Sequence, residues 1–173
     1  MPFASPPPSL ESHVVVCGLG RLGQRVLALL ARLGERVAVV TTEMPCHWPP
    51  PGGEGFALFL GDARDDKLLR QANIATAKAI IVTTNDDLTN VSIALDARRL
   101  NPEATVVLRL FDQQLGAHLE KGAGIHRALS TSALAAPAFV GAALGDATRG
   151  WFETGDGCCI IENWTVGEPS PEI

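Results

Sequence analysis

The feature that most constrains the fold is a glycine-rich stretch near the start of the chain. Val14–Cys17 is a continuous apolar run, and Gly18, Gly20 and Gly23 follow it as G-x-G-x-x-G. Apolar periodicity then predicts a helix over residues 24–33. In a strand–loop–helix unit of this order, the glycines permit a tight turn, approach of the backbone to a pyrophosphate, and close helix–strand packing. The stretch predicts a nucleotide-binding βαβ start. The alternative is a glycine-rich turn with only a structural role.

Strand and helix signals alternate along most of the chain, with short connections between them. This pattern predicts an α/β fold: a Rossmann-like, doubly wound parallel sheet covered by helices on both faces. The predicted strands are Val14–Cys17, Arg36–Val40, Phe56–Leu60, Ala79–Val82, Thr105–Leu110 and Arg127–Leu129. The predicted helices after the first are Asp65–Ala72, Asp86–Leu100, Gln113–Lys121 and Ser132–Leu144.

One crossover departs from this alternation. Glu43–Gly55 is so rich in Pro and Gly that it cannot form the helix that a doubly wound domain normally has between its second and third strands. One face of the sheet is therefore expected to be less covered. We expect that face to be available as an interface, with Trp48 as an anchor on it. Glu43, Cys46 and His47 are near one another in this segment, but we interpret them as loop residues and predict no metal site.

Composition bounds the function. The 173 residues carry a net charge of −5, which argues against a nucleic-acid partner because such a binder needs a basic face. Arg64, Lys67 and Arg70 recur at helical spacing and are interpreted as a solvated helix face. No apolar run reaches the roughly 18 residues of a membrane span. Cys17 is interpreted as a buried small hydrophobic residue.

The predicted organisation has three parts. Residues 1–12 are rich in Pro and Ser and are predicted to be a disordered leader, and residues 13–145 form the nucleotide-binding domain. Residues 146–173 form a partial β-hairpin extension and tail, with strands at Trp151–Glu153 and Cys158–Val166 joined by an Asp-Gly turn. The unfinished hairpin favours a chain that is part of a longer polypeptide.

Ligand contacts in an open parallel sheet come from the residues that follow the carboxyl ends of the strands. Inside the glycine-rich loop, Arg21 is a candidate phosphate-binding residue. After the second predicted strand, Thr41 occupies the place where a dinucleotide site usually has a ribose-binding acid, and Glu43 comes two residues later. Because Thr41 takes the place of the acid, the sequence indicates no clear ribose-binding carboxylate. Because no Arg or Lys follows closely, it indicates no pocket for a 2′-phosphate.

Asp62 follows the third predicted strand in a Gly-Asp-Ala sequence. Its carboxylate is a candidate acceptor for an adenine amino group or a ribose, and a turn or helix-entry acid is the alternative. The fourth strand ends in Thr83, Thr84, Asn85 and Asp86. These side chains suit the rim of a ligand site, although Asn85 or Asp86 as the N-cap of the next helix explains part of the pattern.

Arg109 lies near the end of an otherwise apolar fifth strand. A charged side chain in that setting needs an anion or an acid nearby. The two candidates are a bound phosphate and a structural pairing with Asp112.

With these motifs the sequence resembles the regulator-of-potassium-conductance (RCK) domain, also called the KTN or TrkA N-terminal domain. The Gly-Asp-Ala followed by a Leu-rich helix is the more specific part, because generic dehydrogenases lack it. The resemblance covers residues 13–145, and its matching stretches are Val14–Gly23, Gly61–Ala72, Ala79–Asn90 and Val106–Asp112.

The resemblance implies a cytosolic module that binds NAD(H), ATP, ADP or AMP, forms a homodimer, and assembles into rings that act on a membrane pore. It also implies that Ser132–Leu144 is a crossover helix swapped within that dimer. The cofactor-binding residues implied by the resemblance are Gly18, Gly20, Arg21, Leu22, Gly23, Thr41, Thr42, Asp62, Ala63, Thr83, Thr84 and Arg109.

The leading hypothesis is a nucleotide-binding regulatory domain of a potassium channel or transporter, cytoplasmic and held at the inner membrane face by its pore. No catalytic residue is predicted, because His13, His47, His118 and His126 are scattered and show no partner pattern. Two alternatives stay open: the cofactor half of an NAD(P)-dependent oxidoreductase, and an assembly module with an empty site.

Overall fold

The computed structural model of the chain describes residues 10–43, 48–144, 148–154 and 157–162. Within these ranges, six parallel strands form one sheet in the order β3-β2-β1-β4-β5-β6. This order reverses direction between β1 and β4, which is the topological switch point of a doubly wound sheet. The predicted α/β fold is confirmed. The strands are β1 Val14–Cys17, β2 Val37–Thr41, β3 Ala57–Leu60, β4 Ala79–Val82, β5 Thr105–Arg109 and β6 Arg127–Leu129.

Helices follow most of these strands at their predicted places. They are α1 Arg21–Arg32, α2 Asp66–Gln71, α3 Asp87–Leu100, α4 Gln113–Gly122 and α5 Thr131–Leu144, with a short 3-10 helix at Ile74–Thr76. None of the helices in the described part of the chain is both long enough and apolar enough to cross a membrane.

The sheet has a different cover on each face. On one face, α2, α3 and α4 pack through Leu69, Ile93 and Leu115. On the other face, α1 packs through Leu27 against the side chains of Val14 and Val16. Because β1 is buried along its whole length, its carboxyl end is a fixed platform for the loop that follows.

The first helix begins earlier than predicted. Gly20 is its N-cap, in an extended conformation with φ −64° and ψ −173°, so α1 starts at Arg21 instead of Gln24. The glycine-rich sequence after Gly20 is helical, although its composition is typical of a loop. The predicted end of the helix is confirmed within one residue, and Gly34 has the left-handed φ of +70° expected of a glycine that terminates a helix.

The connection between β2 and β3 has no helix in its described part, residues 42–43 and 48–56, as the Pro-rich composition predicts. However, the half-buried Trp48 and Phe56 pack against the α1-side core. Part of the Trp48 side chain therefore covers the domain's own sheet, and its role as an anchor for a partner stays a prediction. Cys46 and His47 lie outside the described residues.

The chain divides into two compact units, the first ending at Leu129 and the second beginning at Ser130. In the second unit, α5 begins one residue before the predicted start, and its Ser130 hydroxyl accepts a bond from the Ala133 N–H at 3.4 Å. β7 Thr148–Thr154 and β8 Gly157–Glu162 then form an antiparallel pair. The pair matches the predicted hairpin, while the Gly155-Asp156 turn and the last predicted residues, 163–166, lie outside the described residues.

Candidate functional site

Two glycines of the loop after β1 are required by the fold itself. Gly18 has a φ of +94°, a backbone conformation that residues with a Cβ rarely adopt. A Cβ built on Gly23 would lie 2.1 Å from the carbonyl oxygen of Gly18, far inside van der Waals contact. The two glycines therefore let α1 begin directly against the end of β1.

Gly20 is different, because space is open above it. A Cβ built on Gly20 would meet nothing closer than the side-chain amide of Asn85, at 3.7 Å and 3.9 Å. Gly20 is also the N-cap of α1 and makes no side-chain capping bond. The first N–H groups of a helix have no intrahelical acceptor and carry partial positive charge. This end of α1 is consequently a place where an anion can approach the backbone.

The open space above Gly20 belongs to a cavity of about 510 Å³ at the carboxyl ends of the strands. It lies at the switch point of the sheet, where ligands of doubly wound folds bind. Its lining residues come from the end of β2, the loops after four strands, and the helices α1 and α3: Gly18, Leu19, Gly20, Gln24, Val40, Thr41, Thr42, Glu43, Gly61, Asp62, Ala63, Arg64, Thr83, Thr84, Asn85, Asp86, Thr89 and Ile93.

The threonines after β4 form part of the cavity wall and are held by the protein. The buried Thr83 hydroxyl lies within hydrogen-bond distance of the carbonyl oxygens of Gly18, at 2.9 Å, and Cys17, at 3.2 Å. The Thr84 hydroxyl donates to Asn90 Oδ1 at 2.6 Å. These bonds fix β4 beside the glycine-rich loop, so the wall is shaped before any ligand arrives.

Asp62 and Arg64 form an ion pair at the edge of the cavity. Arg64 Nη2 lies 2.6 Å from Asp62 Oδ2, and Arg64 Nε donates to the same carboxylate at 3.0 Å and 3.1 Å. The side-chain and backbone hydrogen bonds from Arg64 hold the pKa of Asp62 below its usual value. Since both side chains are exposed, solvent screens the pair and the guanidinium is free to exchange Asp62 for another anion.

Asp86 is the N-cap of α3. Its carboxylate accepts from the backbone N–H of Thr89 at 2.7 Å, and hydrogen bonds from Thr89 lower the pKa of Asp86. Asp86 rather than Asn85 is therefore the cap, which decides between the two predicted candidates. Asn85 is left free to take part in the cavity wall.

At the end of β2, the Thr41 hydroxyl and the backbone of Glu43 are close. The hydroxyl donates to the Glu43 carbonyl oxygen at 3.3 Å and lies 3.4 Å from the Glu43 nitrogen. This local turn holds Glu43, an exposed residue, on the cavity lining. The carboxylate of Glu43 is thus present at the β2 edge of the cavity, two positions after Thr41, where a ribose-binding acid usually lies.

The family model of the TrkA-N domain matches residues 14–131. This match covers more than half of the chain and includes every loop of the cavity. The chain belongs to the TrkA-N domain family. The resemblance inferred from Gly18–Gly23 and from the Gly-Asp-Ala sequence is confirmed.

Curated relatives of this TrkA-N domain have names connected with potassium transport. It is 33% identical over 102 residues to a Trk system potassium uptake protein TrkA homolog from Pyrococcus horikoshii, covering 58% of this chain and 44% of the relative. It is 29% identical over 131 residues to a probable potassium channel protein 2 from Methanocaldococcus jannaschii, covering 70% and 36%. The chain therefore spans less than half the length of either relative.

Solved structures share the fold at low sequence identity. The TrkA-N domain of the inner membrane protein ybaL from Escherichia coli superposes with a TM-score of 0.68 at 20% identity, covering 77% of this chain and 97% of that one. The GsuK channel bound to NAD gives 0.63 at 20% identity, with 78% and 24% coverage. The Shewanella denitrificans Kef C-terminal domain in its AMP-bound form gives 0.60 at 24% identity, with 78% and 82% coverage.

The structure brings most of the predicted site residues together. Those that line the cavity are Gly18, Gly20, Thr41, Thr42, Asp62, Ala63, Thr83 and Thr84. Arg21, Leu22 and Gly23 form the first turn of α1 and do not line it. Arg21 is exposed, and in this structure its side chain is not part of the cavity wall.

Arg109 is also absent from the cavity lining. Its Nη1 donates to the carbonyl oxygen of Thr84 at 3.1 Å and to Asn85 Oδ1 at 2.9 Å. Asp112, the alternative partner, instead caps α4 by accepting from two backbone N–H groups. The structure gives Arg109 neutral oxygen partners within the TrkA-N domain, and the Asp112 pairing is not formed.

Arg64 was interpreted from the sequence as part of a solvated helix face, and that interpretation is wrong. Arg64 precedes α2, which begins at Asp66, and it lies at the cavity beside Asp62. The Arg64 backbone N–H donates to Asp62 Oδ1 at 2.9 Å, and this Asx turn holds Arg64 beside Asp62. Further lining residues that the sequence did not single out are Leu19, Gln24, Val40, Gly61, Thr89 and Ile93.

The interpretation of one cysteine can be compared with the structure. Cys17 is fully buried, and burial raises the pKa of its thiol to about 12, which confirms its interpretation as a small hydrophobic residue. Among the described residues, no group of three or more His, Cys, Asp or Glu side chains is arranged to hold a metal ion.

Proposed function

We propose that this TrkA-N domain binds an adenine nucleotide or dinucleotide in the cavity and regulates a potassium channel or transporter. The observation that carries the proposal is the open approach to Gly20. There, the unpaired N–H groups of α1 and a cavity of about 510 Å³ meet at the switch point of the sheet. That combination is an anion site joined to a pocket of ligand size.

The ligand class is inferred from the site and from the family together. The anion site fits a phosphate or diphosphate, and the neighbouring pocket has room for the attached nucleoside. NAD, ADP and AMP are the ligands named for the structures with the same fold. We therefore propose NAD(H), ATP, ADP or AMP as the candidates for this chain, with one of them as the effector.

Each part of the site has a proposed role. Gly20 and the first turn of α1, including Arg21, hold phosphate groups, and Gly18 and Gly23 shape the loop. Asp62 and Ala63 contact the adenosine moiety, and Asp62 exchanges Arg64 for ligand donors when it does so. The set proposed to bind or position the ligand keeps the remaining predicted residues, namely Leu22, Thr41, Thr42, Thr83, Thr84 and Arg109.

The proposed role is binding rather than catalysis. The lowered pKa values of Asp62 and Asp86 keep both carboxylates ionised at neutral pH, so neither is suited to act as a general acid. Of the three histidines that lie in the described ranges, none contributes to the cavity lining. These features favour a regulatory site over the cofactor half of an oxidoreductase.

The proposed partners are a second copy of this chain and a membrane-spanning pore. In the second unit, α5 exposes the apolar side chains of Leu134, Phe139 and Val140, which is unusual for a surface helix without a partner. This exposure supports α5 as a dimer contact. A bound nucleotide would favour one arrangement of the dimer over another and so bias the pore, at the cytoplasmic face of the membrane. The bias equals the difference in ligand affinity between the two arrangements.

The binding proposal is tested by thermal unfolding of the 173-residue chain with NAD, NADH, NADP, ATP, ADP and AMP. A ligand at about a hundred times its Kd stabilises a folded protein by roughly 2.7 kcal/mol. The variant Gly20→Asp places a carboxylate in the anion site and is expected to abolish the shift. Gly55→Asp is the matched control, since a Cβ at Gly55 meets nothing within 4 Å. Absence of any shift in the parent chain would overturn the proposal.

The regulatory part needs a measurement of the assembly. The solution scattering profile of the dimer is expected to change when the ligand found in the melting experiment is added. An unchanged profile with saturated sites would leave a nucleotide-binding module but remove the proposed mechanism.

A further inference from the structure

Asn85 lies between the glycine-rich loop and Arg109. Arg109 Nη1 donates to Asn85 Oδ1 at 2.9 Å. A guanidinium has only hydrogen-bond donors, so the amide must turn its oxygen towards Arg109. This requirement decides which end of the Asn85 amide is the nitrogen, and it leaves the two N–H groups of Nδ2 for a different acceptor.

The nitrogen left in this way is close to the anion site. A Cβ built on Gly20 would lie 3.7 Å from Asn85 Oδ1 and 3.9 Å from Asn85 Nδ2, so both ends of the amide border the anion site, and Asn85 lines the cavity. In the part of the chain that the structure describes, Nδ2 has no protein acceptor, and the side chain is exposed to the cavity and solvent. Two N–H donors therefore lie beside the unpaired N–H groups of the first turn of α1.

Both the backbone and the side chain of Arg109 are hydrogen-bonded to the protein, so the guanidinium has a fixed position from which to orient Asn85. Its side chain also donates to the Thr84 carbonyl oxygen at 3.1 Å. Its backbone carbonyl oxygen accepts from the buried Asn90 Nδ2 at 3.0 Å. The Arg109 backbone at the end of β5 is thus bonded to α3, and its guanidinium is bonded to the backbone that follows β4 and to Asn85.

We propose that Asn85 is a ligand-binding residue whose Nδ2 donates to a phosphate oxygen seated above Gly20, and that Arg109 is a positioning residue that orients it. Arg109 then acts on the ligand through Asn85 without touching it. The inference rests on the proposed function and adds to it a specific donor for the phosphate or diphosphate.

The first experiment measures the Kd of ADP and NAD by calorimetry for the parent chain and Asn85→Asp. The replacement keeps the shape and the acceptor for Arg109, but it removes the donors and places a carboxylate beside the phosphate. A hydrogen bond to a charged group is worth enough to weaken binding about tenfold or more. Gln113→Glu introduces the same charge change at an exposed residue outside the cavity and is expected to keep the Kd within about twofold.

A parent chain that binds and an Asn85→Asp variant that binds equally well would overturn the role of Asn85 while leaving the proposed function intact. A parent chain that binds none of NAD, NADH, ATP, ADP and AMP in the same calorimetric measurement would overturn both.

The positioning role is tested by a double-mutant cycle on Kd. Arg109→Gln is expected to weaken binding in the parent background but to have little further effect in an Asn85→Ala background. Arg109→Lys keeps a donor, is expected to restore part of the affinity, and serves where Arg109→Gln does not fold. A purely structural role predicts equal effects of the Arg109 replacement in both backgrounds, and that result would overturn the positioning role.

Discussion

Asn90 makes three of its four side-chain hydrogen bonds with Thr84. Its Oδ1 accepts from the Thr84 backbone N–H at 3.0 Å and from the Thr84 hydroxyl at 2.6 Å, and its Nδ2 donates to the Thr84 carbonyl oxygen at 3.1 Å. The fourth bond goes to the Arg109 carbonyl oxygen. Asn90 is completely buried, so one side chain on α3 satisfies the backbone at the ends of two strands next to the cavity.

We expect Asn90→Ala to destabilise the domain by about 3 kcal/mol, because it leaves buried backbone groups without partners. The free energy of unfolding in urea measures this loss. Gln114→Ala, at an exposed helical position, is the control and is expected to change it by less than about 0.5 kcal/mol. A loss of similar size in both variants would contradict the role given to Asn90.

Replacing two glycines of the same loop by alanine should affect two different properties, stability in one variant and nucleotide affinity in the other. Gly23→Ala should destabilise the fold by about 3 kcal/mol or more, because its Cβ would lie 2.1 Å from the Gly18 carbonyl oxygen. Gly20→Ala should fold normally and weaken nucleotide binding, since its Cβ enters only the cavity. Melting temperature and Kd, measured for both variants, separate the two effects, with Gly55→Ala as the control. A stable Gly23→Ala variant would show that the loop can shift.

His13 predicts a pH dependence of stability. The ring is completely buried, with Nε2 donating to the Ala72 carbonyl oxygen at 2.9 Å, and Nδ1 has no partner among the described residues. Burial is the main cause that lowers the pKa of His13 below 6.5, helped by the charge of Arg36 and opposed by the bond to Ala72. The folded chain therefore holds His13 neutral, while the unfolded chain takes up a proton below about pH 6.5.

The folded state is consequently destabilised as the pH falls below about 6.5, by up to about 1.4 kcal/mol per pH unit. Unfolding in urea between pH 7.5 and 5.5 measures this slope. His13→Gln keeps a donor for the Ala72 carbonyl oxygen but cannot titrate, so its slope should be smaller. Equal slopes for the parent chain and the variant would show that His13 is not the source.

Cys17 should be unreactive in the folded chain. Its thiol is completely buried and its pKa is raised to about 12, and thiolates, not thiols, are alkylated. Treatment with iodoacetamide at pH 8, followed by peptide mass spectrometry, should label Cys17 only in denaturant. Labelling at equal rates in the folded and unfolded chains would contradict the burial of this strand.

The sheet was the most predictable part of the molecule. β1 is a short apolar run buried on both faces, and β4 is one that is buried on one face and half-buried on the other. The predicted bounds of both are those observed. The start of α1 was missed because the sequence from Arg21 to Gly23 has the composition of a loop, whereas its helical conformation depends on close packing against Gly18. The local sequence pattern carries no information about that tertiary contact.

The cavity was partly predictable, since its main residues follow strand ends in a sheet whose topology the alternation implied. What the sequence could not show is how polar side chains divide their bonds. Arg109 bonds to Thr84 and Asn85, 25 and 24 residues away, and Asn90 bonds to two different strand ends. Such pairings depend on the tertiary fold, so the roles of Asn85 and Asn90 became visible only with the structure.

The cover supplied by Trp48 and Phe56 also bears on how this segment can vary. A helix in that crossover would impose a fixed periodicity, so an added residue would rotate its apolar side away from the sheet. Individual rings from a Pro-rich loop impose no such register. The segment between β2 and β3 can therefore change in length between related proteins while the sheet beneath it keeps its geometry.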